Sequence, residues 1–279
     1  MGNQKNLIIM NRSKSFLKFF FSAYQAPQIQ NGIDLKIQNL IEHQRGNINE
    51  CFPSDFSSDE KALIDFVKNY TMTSQERMVT LLRVVEYIVK QNIQGDIVEC
   101  GVWRGGSMML IASKLLQLNC NNKHLVLCDT FDGMPEPTND DINLNGVEAS
   151  SILLKEIDKF SGNNIWCYAS LNDVKENMSK TKYNPNKIHY LQGKVEQTLP
   201  NDIINEISLL RLDTDWYEST KHELESLYDR LVVGGALIID DYGHWSGAKK
   251  AADEFFEKRR IKIFLNRIDY TGRLGIKLV

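Results

Sequence analysis

The 279-residue chain has little of what marks several large protein classes. Its five cysteines are odd in number and scattered, at 51, 100, 120, 128 and 167. They make no Cys-x-x-Cys pair and no Cys/His cluster, which excludes a zinc framework and argues against a disulfide scaffold. Cys100 and Cys128 fall inside apolar runs and read as reduced core thiols, so a cytoplasmic protein is expected. Basic charge is not in excess: 33 Lys and Arg face 36 Asp and Glu, for a net charge of −3 and a pI near 6.0. Neither nucleic acid nor an anionic membrane is an expected partner. The apolar stretch Phe16-Leu-Lys-Phe-Phe-Phe-Ser-Ala-Tyr24 is interrupted by Lys18 and too short to span a bilayer. No small-x-small cleavage site follows it. It reads as an amphipathic helix that covers a site or meets a second subunit, and a homo-oligomer is expected. Two nucleotide signatures are missing as well. Trp103 stands where a dinucleotide fingerprint needs its second glycine, and no glycine turn ends in Gly-Lys-Ser/Thr.

What is present is ordinary globular material, 42% hydrophobic and 25% charged. Residues 1–58 read as an amino-terminal extension and 59–279 as one domain. Helices are predicted at 59–70 and 74–92. In the second, Ser74 caps a helical period of Arg77, Val79, Leu81, Leu82, Val85 and Ile88. From 96 onward short apolar runs alternate with amphipathic stretches, the pattern of right-handed βαβ units and a parallel sheet. Strands are predicted near 96–101, 124–129, 187–192, 207–213, 235–240, 260–266 and 273–279, the last two as an antiparallel hairpin through Asp269–Gly272. Helices follow at about 107–115, 217–231 and 246–259. Between the second and third strands runs a long excursion, 130–186, with two prolines and four acids in 132–141. It forms either a wall over a bound substrate or a solvated surface insertion.

Two strand ends carry paired acids. Asp213 and Asp215 follow Leu-Leu-Arg-Leu (209–212), and Asp240 and Asp241 follow Ala-Leu-Ile-Ile (236–239). In a parallel sheet these carboxyl ends are where ligands sit. Clustered carboxylates are costly unless something positive binds them. Oxygen-only ligation favours a hard cation, Mg²⁺ before Ca²⁺ or Mn²⁺. A solvated turn with helix caps is the plainer alternative.

Upstream, Gly95-Asp-Ile-Val-Glu-Cys-Gly-Val-Trp-Arg-Gly-Gly-Ser107 reads as a strand, a glycine-bearing turn and a helix start. Acid-x-Gly-x-x-x-Gly-Gly after a strand resembles motif I of class I S-adenosylmethionine methyltransferases. Glycines let backbone pass close to a ligand, and a helix amino terminus favours an anion. Gly101, Val102, Trp103, Arg104 and Gly105 would therefore pass the methionyl part of that donor, with Ser107 at its carboxylate. Asp129 ends the next strand, 24 residues after Gly105, at the distance of a ribose-binding acid. Gly193, Val195 and Glu196 would flank the adenine. Thr73 and Ser74 either close over the donor or form a helix cap. Glu99 is either a donor ligand or a buried structural acid, and Trp103 either packs or faces the sulfonium.

Several longer stretches together resemble the macrocin O-methyltransferase family over roughly 52–260. They are Tyr70-Thr-Met-Thr-Ser74 with Arg77, Val98–Ser107, Asp129-Thr-Phe-Asp-Gly-Met-Pro135, Arg211-Leu-Asp-Thr-Asp-Trp-Tyr-Glu-Ser-Thr220 and Asp240-Asp-Tyr-Gly-His-Trp245. The resemblance implies a class I methyltransferase fold, a mostly parallel seven-stranded sheet with helices on both faces. It also implies S-adenosylmethionine as donor, a divalent metal and a sugar hydroxyl on a glycosylated metabolite as acceptor. By the same resemblance Asp213, Asp240 and Asp241 are metal ligands. The 27-residue step from Asp213 to Asp240 is close to that in catechol O-methyltransferases, whose catalytic lysine would fall at Trp216. The base is therefore another group: Asp213 first, with Asp215 and His244 as alternatives. Methylation of a nucleotide sugar or surface glycan, on oxygen or carbon, and a non-catalytic donor-binding protein are the competing readings.

Overall fold

The computed structural model describes residues 52–156, 158–160 and 164–279. The Phe-rich stretch 16–24 and the rest of the extension through Cys51 lie outside the described residues. Two helices come first, α1 (Ser58–Val67) and α2 (Gln75–Lys90). Both start where side chains satisfy the first free amides. Ser57 and Glu60 form a reciprocal capping box on α1, and Ser74 Oγ accepts from the Arg77 amide on α2.

The sheet is built from β1 (Asp96–Cys100), β2 (Leu125–Asp129), β3 (Ile188–Gln192), β4 (Ile207–Leu212), β5 (Leu231–Ile239), β6 (Asn266–Arg267) and β7 (Arg273–Ile276), in the order β3-β2-β1-β4-β5-β7-β6. The first five are parallel, and β7 runs antiparallel to β5 and β6. Period-two alternation along each strand feeds two cores. Ile97, Leu125, Leu127, Leu209 and Ile238 pack against α1, α2 and α3 (Gly106–Gln117). Val98, Cys100, Val126, Leu210, Leu212 and Ile239 face α7 (Tyr217–Leu227) and α8 (Ser246–Lys258). Both faces are covered, which is why the strands read as continuous apolar runs. This is the expected class I methyltransferase architecture, a mostly parallel seven-stranded sheet with helices on both sides.

The predicted strand 260–266 shrinks to the two residues of β6. Ile261, Ile263 and Leu265 still turn inward at every second position, so the alternation was real. The segment, however, pairs with β7 only through Asn266 and Arg267.

The excursion after β2 is docked rather than solvated. It carries α4 (Ala149–Leu153) and ends in α5 (Leu171–Ser179). Asp141, fully buried, accepts from the Tyr217 amide at 2.7 Å and thereby caps α7 from another part of the chain. Ile142 and Ser246 exchange hydrogen bonds at the start of α8. Ala149 and Leu153 join Trp216, Trp245 and Ala248 in a third apolar cluster. The excursion thus walls the sheet edge where β4 and β5 end.

Candidate active site

The turn after β1 is held open by backbone conformation. Gly101 has φ +80°, and a Cβ there would overlap the carbonyl of Asp213, so the ends of β1 and β4 touch. Gly105 has φ +87° and opens α3, and Trp103 adopts φ +45°. Asp129, at the end of β2, closes this turn. Its Oδ2 accepts from the amides of Val102 (2.6 Å) and Trp103 (3.2 Å), and its Oδ1 from Phe131 (2.6 Å). Burial pushes its carboxyl up, and those amides pull it back. The residue expected to bind ribose therefore also fixes the turn, although a carboxylate has lone pairs to spare for both. Ser107 lies buried in the first turn of α3. The Arg104 guanidinium stacks 4.6 Å from the Trp103 ring centroid. Gly193 follows β3 with φ +142° and donates to the Asp129 carbonyl at 2.9 Å. Val195 is buried and Glu196 exposed on the short α6 (Val195–Thr198).

At the other end of the edge the acids crowd. Asp213, Asp215 and Asp241 bring carboxylate oxygens within 4.8 Å of one another. Asp215 reaches the group from a left-handed backbone, φ +64°. Burial pushes all three carboxyls up. Asp213 rises despite Arg211, Asp241 rises further through its neighbours Asp215 and Asp240, and Asp215 is pushed up to about 7.

Asp240, expected as the third ligand, is engaged elsewhere. Its Oδ1 accepts from Arg211 Nη2 at 2.7 Å and its Oδ2 from Arg77. Burial pushes its carboxyl up, but Arg211 and Arg77 outweigh burial and hold it below the ordinary value. The physical reason is charge pairing. Asp240 continues the β5 ladder, donating to the Leu212 carbonyl at 2.9 Å, and its carboxylate, beside that of Asp213, is the one that meets both guanidinia. The tightest carboxylate group is therefore Asp213, Asp215 and Asp241.

Arg211 gathers the predicted residues. From β4, 2% exposed, its Nη1 donates to Glu99 Oε1 (2.5 Å) and Asp213 Oδ2 (2.7 Å), and its Nη2 to Asp240 and to Thr73 Oγ1 (3.4 Å). Arg77 adds Asp269 at 3.0 Å, and Ser74 Oγ also donates to Asp269. Ser74 is thus a helix cap, and Thr73 belongs to the arginine network. Both arginines were legible only as letters in a motif. A lone cation inside the apolar run 207–212 demands buried anions, and that signal marks Arg211. Glu223 of α7 was also unforeseen. It is fully buried, and its Oε1 accepts from Thr214 Oγ1 at 2.9 Å, between Asp213 and Asp215.

Trp216, at the position of the missing lysine, is buried edge-on to Trp245 with centroids 4.9 Å apart, and its Nε1 donates to the Pro135 carbonyl. His244 lies on the turn after β5, its amide donating to the Asp241 carbonyl at 3.0 Å. Its Nδ1 lies 3.4 Å from the Tyr270 hydroxyl, and its ring packs on Trp245.

Among the described residues, four buried side-chain atoms lack a hydrogen-bond partner: Glu99 Oε2, Trp103 Nε1, Glu223 Oε2 and Asp241 Oδ2. Orphaned buried polar groups are rare and costly, and they mark where a ligand completes a site. Asp241 Oδ2 within three carboxylates fits a hard divalent cation. Glu99 and Trp103 flank the glycine turn, in keeping with a polar donor.

Residues 55–274 match the model of the macrocin O-methyltransferase family. Among curated relatives, demethyldecarbamoylnovobiocin O-methyltransferase of Streptomyces niveus is 30% identical over 73% of this chain and 74% of its own length. A Streptomyces olivaceus enzyme is equally similar over the same shares, 8-demethyl-8-(2,3-dimethoxy-alpha-L-rhamnosyl)-tetracenomycin-C 4'-O-methyltransferase. Among solved structures the O-methyltransferase NovP superposes with TM-score 0.67 at 27% identity, covering 88% of this chain and 99% of its own. The calicheamicin methyltransferase CalS11 shares the fold, with TM-score 0.56 at 16% identity over 82% of this chain and 98% of its own. With its sheet order, its glycine turn and a match over most of its length, the chain belongs to the macrocin O-methyltransferase family and is an S-adenosylmethionine-dependent methyltransferase.

Proposed function

We propose that the chain methylates a sugar hydroxyl of a glycosylated metabolite, with a divalent cation, Mg²⁺ first, at the ends of β4 and β5. The observation that carries this reading is the carboxylate group of Asp213, Asp215 and Asp241 with its unpartnered Asp241 Oδ2, set against the donor turn through the Gly101–Asp213 contact. The rhamnosyl 4'-hydroxyl in the name of one relative supports a sugar acceptor.

Asp213 and Asp241 would hold the cation, which commonly takes one or two carboxylates and keeps its waters. When bound, such an ion stabilises a developing alkoxide. The chain's own residues do the rest. The glycine turn and Asp129 orient the donor so that its methyl lies in line with the acceptor oxygen, at about 3 Å. The oxygen–carbon bond forms as the carbon–sulfur bond breaks, leaving neutral S-adenosylhomocysteine. The hydroxyl proton goes to Asp215. Asp213, the first choice from sequence, already accepts from Arg211 at 2.7 Å and would lie against the cation. Burial pushes Asp215 up to about 7, the range suited to a base near neutrality. Asp240 anchors the two arginines. Trp216 and the docked excursion wall one side of this end.

The test is turnover on rhamnosyl and other deoxysugar glycosides, beside nucleotide sugars, with and without EDTA. Loss on chelation and recovery with Mg²⁺ is expected. Full activity after exhaustive chelation overturns the cation. Activity on nucleotide sugars alone overturns the acceptor class. Cys100 and Cys128, buried as free thiols, support a reducing compartment, the cytoplasm. No helix among the described residues is long and apolar enough to cross a membrane.

A further inference from the structure

One guanidinium nitrogen serves two sites. Arg211 Nη1 donates to Glu99 Oε1 at 2.5 Å and to Asp213 Oδ2 at 2.7 Å. Glu99 lies on β1, two residues before the Gly101 turn that carries the donor. Asp213 lies on the cation side. Arg211 and Glu99 are buried, with side-chain exposures of 2% and 1%, and Asp213 is partly exposed at 28%. Glu99 keeps its second oxygen, Oε2, without a partner.

We infer that Arg211 is a positioning residue that couples the donor pocket to the cation site, so that each ligand tightens the binding of the other. The inference rests on the cation reading above. The physical chain is short. Without a cation, Arg211 divides its donors among Glu99, Asp213 and Asp240, while Asp215 and Asp241 add further negative charge nearby. Glu99 then faces a field of like charge with one guanidinium that also serves two other carboxylates. A cation on Asp213 and Asp241 offsets part of that field and weakens the hold of Asp213 on Nη1, so the guanidinium shifts toward Glu99. Glu99 is then held as an anion in a fixed orientation, with Oε2 open to a ligand ammonium such as that of the methionyl group. Linkage makes the effect reciprocal: the donor must strengthen the cation by the same factor. A shift of the two Nη1 hydrogen bonds toward Glu99 is a rearrangement of the fork, not a uniform field. It therefore depends on the fork of the guanidinium, which a lysine cannot reproduce.

The experiment is a binding cycle that needs no turnover. Calorimetry measures the Kd of S-adenosylhomocysteine with and without saturating Mg²⁺. Electron paramagnetic resonance measures Mn²⁺ affinity with and without S-adenosylhomocysteine. This ligand lacks the sulfonium charge, so direct repulsion between methyl donor and metal does not enter. In the wild-type chain each ligand should tighten the other at least about fivefold, by equal factors. Glu99→Gln keeps an acceptor for Arg211 but no charge, and Arg211→Lys keeps the charge but not the fork. Both should cut the factor below about twofold while each ligand still binds alone. Asp129→Asn should weaken S-adenosylhomocysteine but keep the wild-type factor, because Asp129 makes no contact with Arg211. Thermal melts establish that each variant folds. Binding of both ligands to the wild type without mutual effect overturns the inference alone. So does an undiminished factor in Glu99→Gln and Arg211→Lys. If the wild-type chain binds no Mn²⁺, the cation reading falls and takes this inference with it.

Discussion

The two halves of the sheet edge solve the same problem in opposite ways. Each presents buried acid at strand ends, which is unfavourable without compensation. At the β1–β2 half, Asp129 is compensated by backbone, accepting from the amides of Val102, Trp103 and Phe131. At the β4–β5 half, compensation comes from two guanidinia, and it is incomplete. Asp240 takes both arginines, and Asp241 retains an orphaned oxygen. The lesson is that the turn after β1 is prefolded by its own chain, whereas the acids at the ends of β4 and β5 are left for protons or the proposed cation to neutralise. Substitutions at the first half should therefore act on stability and donor affinity together. Substitutions of Asp213, Asp215 or Asp241 should act on turnover and metal, with little penalty in the metal-free fold.

The sharpest break of this contrast is expected at Asp215. Asp215→Asn should lower kcat by about 10²-fold or more, the range of a general base, with donor affinity intact and Mn²⁺ still bound. Asp213→Asn should lose Mn²⁺ as well. Asp240→Asn should keep Mn²⁺ but loosen Arg77 and Arg211. If Asp240→Asn instead abolishes Mn²⁺ binding while Asp215→Asn turns over normally, the ligand set implied by family resemblance is correct. In that case the arginines release Asp240 when the metal enters.

Next in size is Asp129→Asn. The amide cannot accept at both ends, so at least one backbone N–H is left unsatisfied at about 1–3 kcal/mol. Donor affinity should fall about tenfold, and the melting temperature by a few degrees, roughly 2–4 °C per kcal/mol for a domain of this size. A tenfold weaker donor with an unchanged melt would mean that Asp129 serves the ribose alone.

Smaller again is the effect of pH on stabilisation by Mg²⁺. An acid whose folded pKa lies above its unfolded value binds more protons when folded, so its ionisation costs stability as pH rises between the two values. For Asp215 that window runs from 3.8 to about 7, and Asp213 and Asp241 shift the same way. The metal-free protein should therefore lose stability from this cluster as pH climbs toward 7. A cation competes with the same protons. The rise in melting temperature on adding Mg²⁺ should be slight near pH 5 and several degrees near pH 8, in line with about 2.7 kcal/mol at a hundredfold excess over Kd. A shift independent of pH would place the ion away from these acids.

Much of this edge was legible because it is local. Apolar period-two runs located the central strands, and Ser74 announced α2. The glycine turn and Asp129 lie close in sequence and proved adjacent. What stayed hidden is relational. Asp240 and Asp241 are one residue apart and look equivalent in sequence, yet only Asp240 is paired with Arg77 and Arg211. Arg77 meets Asp240 across 163 positions, a pairing that no spacing rule encodes. The run Ile261–Leu265 has the alternation of a strand, but a ladder also needs a neighbour in register.

The smallest effect should come from His244, the one imidazole among the predicted catalytic residues. Its backbone sits on the turn after β5, donating to the Asp241 carbonyl at 3.0 Å. Its ring packs against Trp245 and Tyr270 at centroid distances of 5.0 and 5.9 Å. With these contacts the ring serves the proposed site as a wall of the rim, and the proposed base is Asp215. His244→Gln keeps a polar side chain of similar reach, so kcat should fall by no more than about threefold, well below the 10²–10⁴ of a general base. KM for the acceptor is the parameter to move, because the rim is where an acceptor enters. The pH profile supplies an independent check. If the imidazole were the base, His244→Gln would erase a limb near pH 6–7, whereas with a carboxylate base the limb survives and only Asp215→Asn removes it. A His244→Gln enzyme that is dead at every pH but still binds donor and Mn²⁺ would hand the proton to histidine and reverse the assignment.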